Sequence, residues 1–220
     1  MNPEPSFPDP TPSSQRAVYP SRWKEFIATT KRNNRSTMTD ANRFAARYRI
    51  ATGFTSASFD GVAQDTAEGF SVLLKVMLAA NAMEAVITLQ RRKLHDFRIA
   101  DESLAKDMRK HAGALLDLLL TSAGEQHKPR LQAIKSDESN DVWIIARSVR
   151  NTLAHGILTS NGAGVTRSKR QRALHERLAT AVLRAADEHF SDWFEALELG
   201  LTSNQPMGPI SIKGQKGQKR

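Results

Sequence analysis

The sequence predicts an all-α protein, an antiparallel up-and-down helical bundle with disordered termini. Three observations carry that expectation. Four stretches repeat apolar residues at three- and four-residue steps, and none alternates with a period of two for long enough to argue a sheet. The polar connections between them are short, which favours antiparallel neighbours. The hydrophobic fraction of 40% suffices for a core, and with no cysteine in 220 residues, packing rather than disulfides must hold it.

Taken in chain order, residues 1–15 carry Pro3, Pro5, Pro8, Pro10 and Pro12 and are expected to be disordered. Residues 16–60 form a basic arm expected to be partly helical, set off by Gly53 and the Ser/Thr-rich stretch 52–60 from a helical bundle over 61–200. The first bundle helix, about 66–94, is apolar nearly all round (Phe70, Leu73, Val76, Met83, Val86, Ile87) and ends in Arg91, Arg92 and Lys93. Such a helix belongs in the middle of a bundle or at an oligomer interface. The second, about 102–121, has Leu104, Met108, Ala112, Leu115, Leu116 and Leu119 on one face and stops at Ser122-Ala123-Gly124. A polar loop containing Pro129 follows. The third, about 139–155, starts among the cap-like Ser139, Asn140 and Asp141, runs Val142, Ile145, Val149 and Leu153 along one stripe, and ends at Gly156. The fourth, about 168–199, repeats Leu174, Leu178, Val182, Ala185, Phe190, Trp193 and Leu197. Residues 201–220 read as a disordered basic tail.

The net charge of +9 is unevenly placed. Residues 16–49 hold nine cations against Glu25 and Asp40, the tail adds Lys213, Lys216, Lys219 and Arg220, and the body from 50 to 212 is balanced. A basic arm and tail on a neutral body suit phosphate contacts, each of which releases counterions; a solubilising extension is the alternative. The arm's aromatics, Trp23, Phe26, Phe44 and Tyr48, have the spacing to dock it onto the body, with stacking on bases as the other reading. The absence of cysteine excludes thiolate zinc sites and a cysteine nucleophile. No window reaches the roughly 18 consecutive apolar residues of a membrane span, and MNPEPSFPDP lacks the order of a secretory signal. The expectation is a cytoplasmic protein without a membrane partner.

Searches for familiar chemistry fail. His175-Glu176 lies on a helix, but the position of a second metal-binding histidine is Ala179. His95, His111, His127 and His189 have no partner at metal-ligand spacing, and no serine sits in a Gly-x-Ser-x-Gly elbow. No metal and no cofactor are expected.

One segment stands apart: Arg147-Ser148-Val149-Arg150-Asn151-Thr152-Leu153-Ala154-His155-Gly156. On a helical wheel Arg147, Asn151 and His155 share one stripe with Arg150 on its flank, opposite the core stripe. Two arginines, an amide and a histidine are the parts of an anion site. The alternative reading pairs Arg150 with an acid on a neighbouring helix and leaves His155 to cap the helix end. On an ideal helix residues five apart point about 140° from each other. Either the helix loosens at Ala154–Gly156, or one of the two residues serves a partner subunit's half of a site.

Arg150-Asn151-Thr152-Leu153-Ala154-His155 resembles the R-x(4–6)-H signature of the HEPN superfamily, with a polar residue directly after the arginine. The resemblance covers about 62–200. It implies a metal-independent endoribonuclease, often a toxin or antiviral effector, that acts as a homodimer with both motifs in one cleft. It implies that Arg150 and His155 are catalytic and that Asn151 orients the site. RNA is then the substrate, its own 2′-hydroxyl the nucleophile, and the products carry 2′,3′-cyclic phosphate and 5′-hydroxyl ends. An imidazole exchanges protons near neutral pH, and a guanidinium suits a phosphate whose charge grows in the transition state. Arg147, with Arg167, Lys169 and Arg170 downstream, is placed to guide the RNA backbone. An antitoxin or regulatory partner would hold the activity in check. Ile157 stands where some of these toxins carry a tyrosine that a nucleotidyltransferase modifies, which argues against that route of regulation. Two other functions compete: a non-catalytic helical RNA- or nucleotide-binding module using the basic arm, and a protein-interaction adaptor using the apolar helix 66–94.

Overall fold

The computed structural model describes residues 18–30, 35–159 and 164–200. The expected disorder of 1–15 and 201–220 lies outside those residues. The described part is an all-α bundle of eight helices with no strand: α1 (Trp23–Thr30), α2 (Arg35–Gly53), α3 (Gln64–Leu89), α4 (Glu102–His111), α5 (Gly113–Ser122), α6 (Lys128–Lys135), α7 (Val142–Ala154) and α8 (Lys169–Glu198).

α3 is the centre of the bundle because it is apolar on nearly every side. It packs against α8, α2 and α7, and Leu73, Val76, Met83, Val86 and Ile87 are wholly buried. It is also long and apolar enough to cross a membrane by length and composition, although most of that surface is covered by its neighbours here. Direction follows from polar pairs. Arg147 and Arg150 of α7 meet Glu84 and Asn81 of α3, and Arg47 of α2 reaches the Asn81 carbonyl while Asp40 and Arg43 lie beside Ala85 and Thr88, so both helices run antiparallel to α3. Glu68, Lys75 and Gln90 meet Arg172, Glu176 and His189 in ascending order. Consecutive long helices therefore alternate in direction, while α3 and α8 lie parallel. α8 is opened by a capping box in which Ser168 and Gln171 satisfy each other's backbone N–H groups.

The basic arm is part of the core. Phe26 is fully buried among Phe190, Trp193 and Phe194 of α8, and Phe44 lies 5.1 Å from Phe190, centroid to centroid. Trp23 and Tyr48 are buried as well, which removes all four aromatics from any base-stacking role. The Ser21 N–H donates to Asp187, and Arg22 pairs with Glu198 at 2.7 Å. The separation expected at residue 60 does not divide the packing: α1 and α2 share one hydrophobic core with α3 and α8.

Two local expectations are corrected. The helix expected over 102–121 is two helices broken at Ala112, whose φ of −127° leaves the helical region just before Gly113. Its apolar face is continuous across the break, with Leu104, Met108, Ala112, Leu115, Leu116 and Leu119 all buried, which is why periodicity read it as one element. The loop around Pro129 contains α6, with proline in its first turn, where the missing N–H costs nothing, and with Leu131 and Ile134 buried.

Candidate functional site

α7 buries Val142, Ile145 and Val149 and turns Arg147, Arg150, Asn151 and His155 away from them. Its start is fixed by Asp141, although not as a cap. The Asp141 carboxylate accepts from the Ile99 N–H at 3.1 Å and pairs with Arg130, while Val142 N–H donates to the Ile99 carbonyl at 2.8 Å. The loop after α3 is thereby clamped to the first turn of α7.

Its end is a Schellman motif. The Gly156 N–H donates to Leu153 O at 3.0 Å and the Ile157 N–H to Thr152 O at 2.9 Å, with Gly156 at φ +69°. His155 is the C-cap residue, at φ −90° and ψ 5°, and its side chain is exposed. The helix therefore ends at Ala154, the residue before the histidine, and Arg150 and His155 still point to different surroundings.

Arg150 is held by three partners. Its Nε donates to Asn81 Oδ1 at 3.2 Å, its Nη1 to Asn151 Oδ1 at 2.9 Å, and its Nη2 lies 3.3 Å from Glu84 Oε2. Glu84 also faces Arg147, whose Nε is 4.0 Å from Oε1. One carboxylate thus faces two guanidiniums. The Arg147 side chain is only 13% exposed, and its Nε and Nη1 have no hydrogen-bond partner among the described residues. Burial, against the pull of Glu84 and with Arg130 and Arg150 adding repulsion, pushes its pKa below the ordinary arginine value.

A guanidinium has no acceptor, so the bond from Arg150 commits Asn151 Oδ1 and leaves the amide's Nδ2 hydrogens for a ligand. Asn151 and His155 line one cleft of about 200 Å³, between the end of α7 and the α5–α6 connection around Ser122, Gly124 and His127. Among the described residues no carboxylate lines the cleft. On its inner wall the buried His127 Nε2 and Ser148 Oγ lack hydrogen-bond partners among the described residues. Burial first, then the charges of Arg147 and Arg130, lower the pKa of His127 and keep it neutral. Asn151 Nδ2, the Ser148 hydroxyl and an imidazole nitrogen can each donate here, which suits a ligand carrying acceptor oxygens.

The structure therefore joins Arg147, Arg150 and Asn151 through Glu84 and hydrogen bonds, and joins Asn151 to His155 through the cleft. Arg150 is not among the cleft-lining residues; it faces α3. Arg167, Lys169 and Arg170 are exposed at the opposite end of α3: their neighbour Arg172 pairs with Glu68, and Glu84 lies about 24 Å further along that helix. Asn81 and Glu84 are the residues that reading the sequence missed. Their signal is two polar side chains three apart inside the otherwise apolar run from Val76 to Ile87. Among the described residues no three His, Asp or Glu side chains converge as a metal site. Comparison with protein-family models, with curated proteins and with solved structures found no match, so the reading of the site rests on its own residues.

Proposed function

We propose that this chain is a metal-independent endoribonuclease of HEPN type, acting in the cytoplasm as a homodimer and serving as a toxin or defence effector under the control of an antitoxin or sensor. The observation that carries the reading is the link between Arg150 and the cleft. Asn151 is fixed by the guanidinium on one side and lines the cleft beside His155 on the other. In the reaction the RNA 2′-oxygen bonds to phosphorus, the bond to the 5′-oxygen breaks, and one proton moves in net from the 2′-hydroxyl to the departing oxygen. His155 exchanges that proton, Asn151 Nδ2 donates to a phosphoryl oxygen, and Arg150, from outside the cleft, holds the Asn151 carboxamide in that orientation.

The test is cleavage of a mixed RNA pool by the full chain and by Arg150→Ala, Asn151→Ala and His155→Ala proteins with unchanged circular dichroism. The reading expects a loss of about 10²–10⁴-fold in rate for His155→Ala. Cleavage that survives in the folded His155 variant contradicts it.

One observation favours a second reading, a non-catalytic RNA-binding or interaction module. Arg150 is already paired with Glu84 and Asn81, an arrangement that serves packing equally well. A binding module expects wild-type protein that binds RNA without cleaving it, and an interaction module expects no RNA affinity at physiological salt.

A further inference from the structure

We infer that Arg43 and Arg47 of α2 form the track along which a single-stranded RNA backbone enters the site, leading to Arg150. The inference rests on RNA being the ligand, as proposed above. The two arginines are exposed, four residues apart on one face of α2, and with Asp40 they line a groove of about 200 Å³ floored by Ala85 and Thr88 of α3. One helical turn separates them by about 6 Å along the axis, close to the step between successive phosphates on a strand. The small floor residues let a phosphate settle between the two guanidiniums, whose forked donors match its oxygens.

One residue of α3, Asn81, touches both Arg47 of α2 and the candidate site. Arg47 Nη1 donates to the Asn81 carbonyl at 3.4 Å, and the Asn81 side chain accepts from Arg150 at 3.2 Å. Arg43, Arg47 and Arg150 thus follow one another across α3. The acids beside them are Asp40, an exposed i,i+3 partner of Arg43 at 3.3 Å, and Glu84, which is turned toward Arg147 and Arg150. A weak surface pair of the first kind yields readily to a phosphate. This gives the basic arm a role: α1 and the apolar face of α2 dock it, and the outer face of α2 presents the charge.

The test measures binding of a fluorescein-labelled single-stranded RNA to the full chain by anisotropy, across about 50 to 200 mM salt. The Arg43→Gln/Arg47→Gln protein should bind several-fold more weakly, with a salt slope shallower by about 1.4, the value for two lost phosphate contacts on a single strand. The Arg43→Lys/Arg47→Lys protein, which keeps the charge, should retain the wild-type slope. Lys106→Gln/Lys110→Gln, which removes the same charge from the exposed face of α4, should leave affinity within twofold. An unchanged slope in the first variant, an equal loss in the third, or no RNA binding by the wild type overturns the track, the last pointing to an acidic protein partner instead. Weakened binding by the first variant in a protein that never cleaves RNA leaves the track standing and removes the nuclease chemistry.

Discussion

Gly156 decides where His155 sits. At φ +69° it occupies the left-handed region that closes the Schellman motif, and a Cβ there would meet no atom within 4 Å, so the cost of a side chain is purely in the backbone. Gly156→Ala should lower stability by about 1 kcal/mol, read as a shift in the urea midpoint, and should displace the end of α7 that carries the histidine. An unchanged midpoint would mean that the turn is not needed. The motif itself was legible residue by residue, because an arginine, an amide and a histidine stand out in an apolar helix and a glycine marks its end. Glu84 and Asn81 were not, because which buried polar side chains meet depends on how α3 and α7 are set against each other, and periodicity records only that each has an apolar face.

Three long stripes were legible as single helices, which the structure places at 64–89, 142–154 and 169–198, the first ending five residues short of the expected 94, before Arg91, Arg92 and Lys93. The exceptions have physical causes. Ala112 breaks the backbone between α4 and α5 without interrupting the buried face, and α6 is only eight residues long, too short for its two buried side chains to outweigh the polar residues around them. The arm is the larger departure, since its charge suggested an appendage while its aromatics carry the packing. Phe26 is fully buried against three aromatic rings of α8. Phe26→Ala should therefore destabilise the whole domain by about 3–5 kcal/mol in a single cooperative transition. A change below about 0.5 kcal/mol, typical of a surface position, would return the arm to an appendage.

Acidification should loosen the molecule as a unit, because its buried histidines are spread through it. His189, on α8 against the Phe97 ring, is pushed down to about 4 by burial and then by Arg92. Burial also lowers His175 in α8 and His127 beside the cleft. Each binds a proton more weakly folded than unfolded, so the unfolded chain takes up more protons as pH falls. Stability is fully present above the ordinary histidine value of 6.5 and declines as pH drops toward about 4. The urea midpoint should fall over that window, and His189→Phe should flatten part of the decline; a midpoint that rises on acidification contradicts the sign.

The most direct test of the whole account is the chemistry of the RNA ends made in excess EDTA, with His155→Ala protein alongside. The account predicts 2′,3′-cyclic phosphate and 5′-hydroxyl ends that are absent with the variant. Cleavage that stops in EDTA, or products with 5′-phosphate ends, would contradict it.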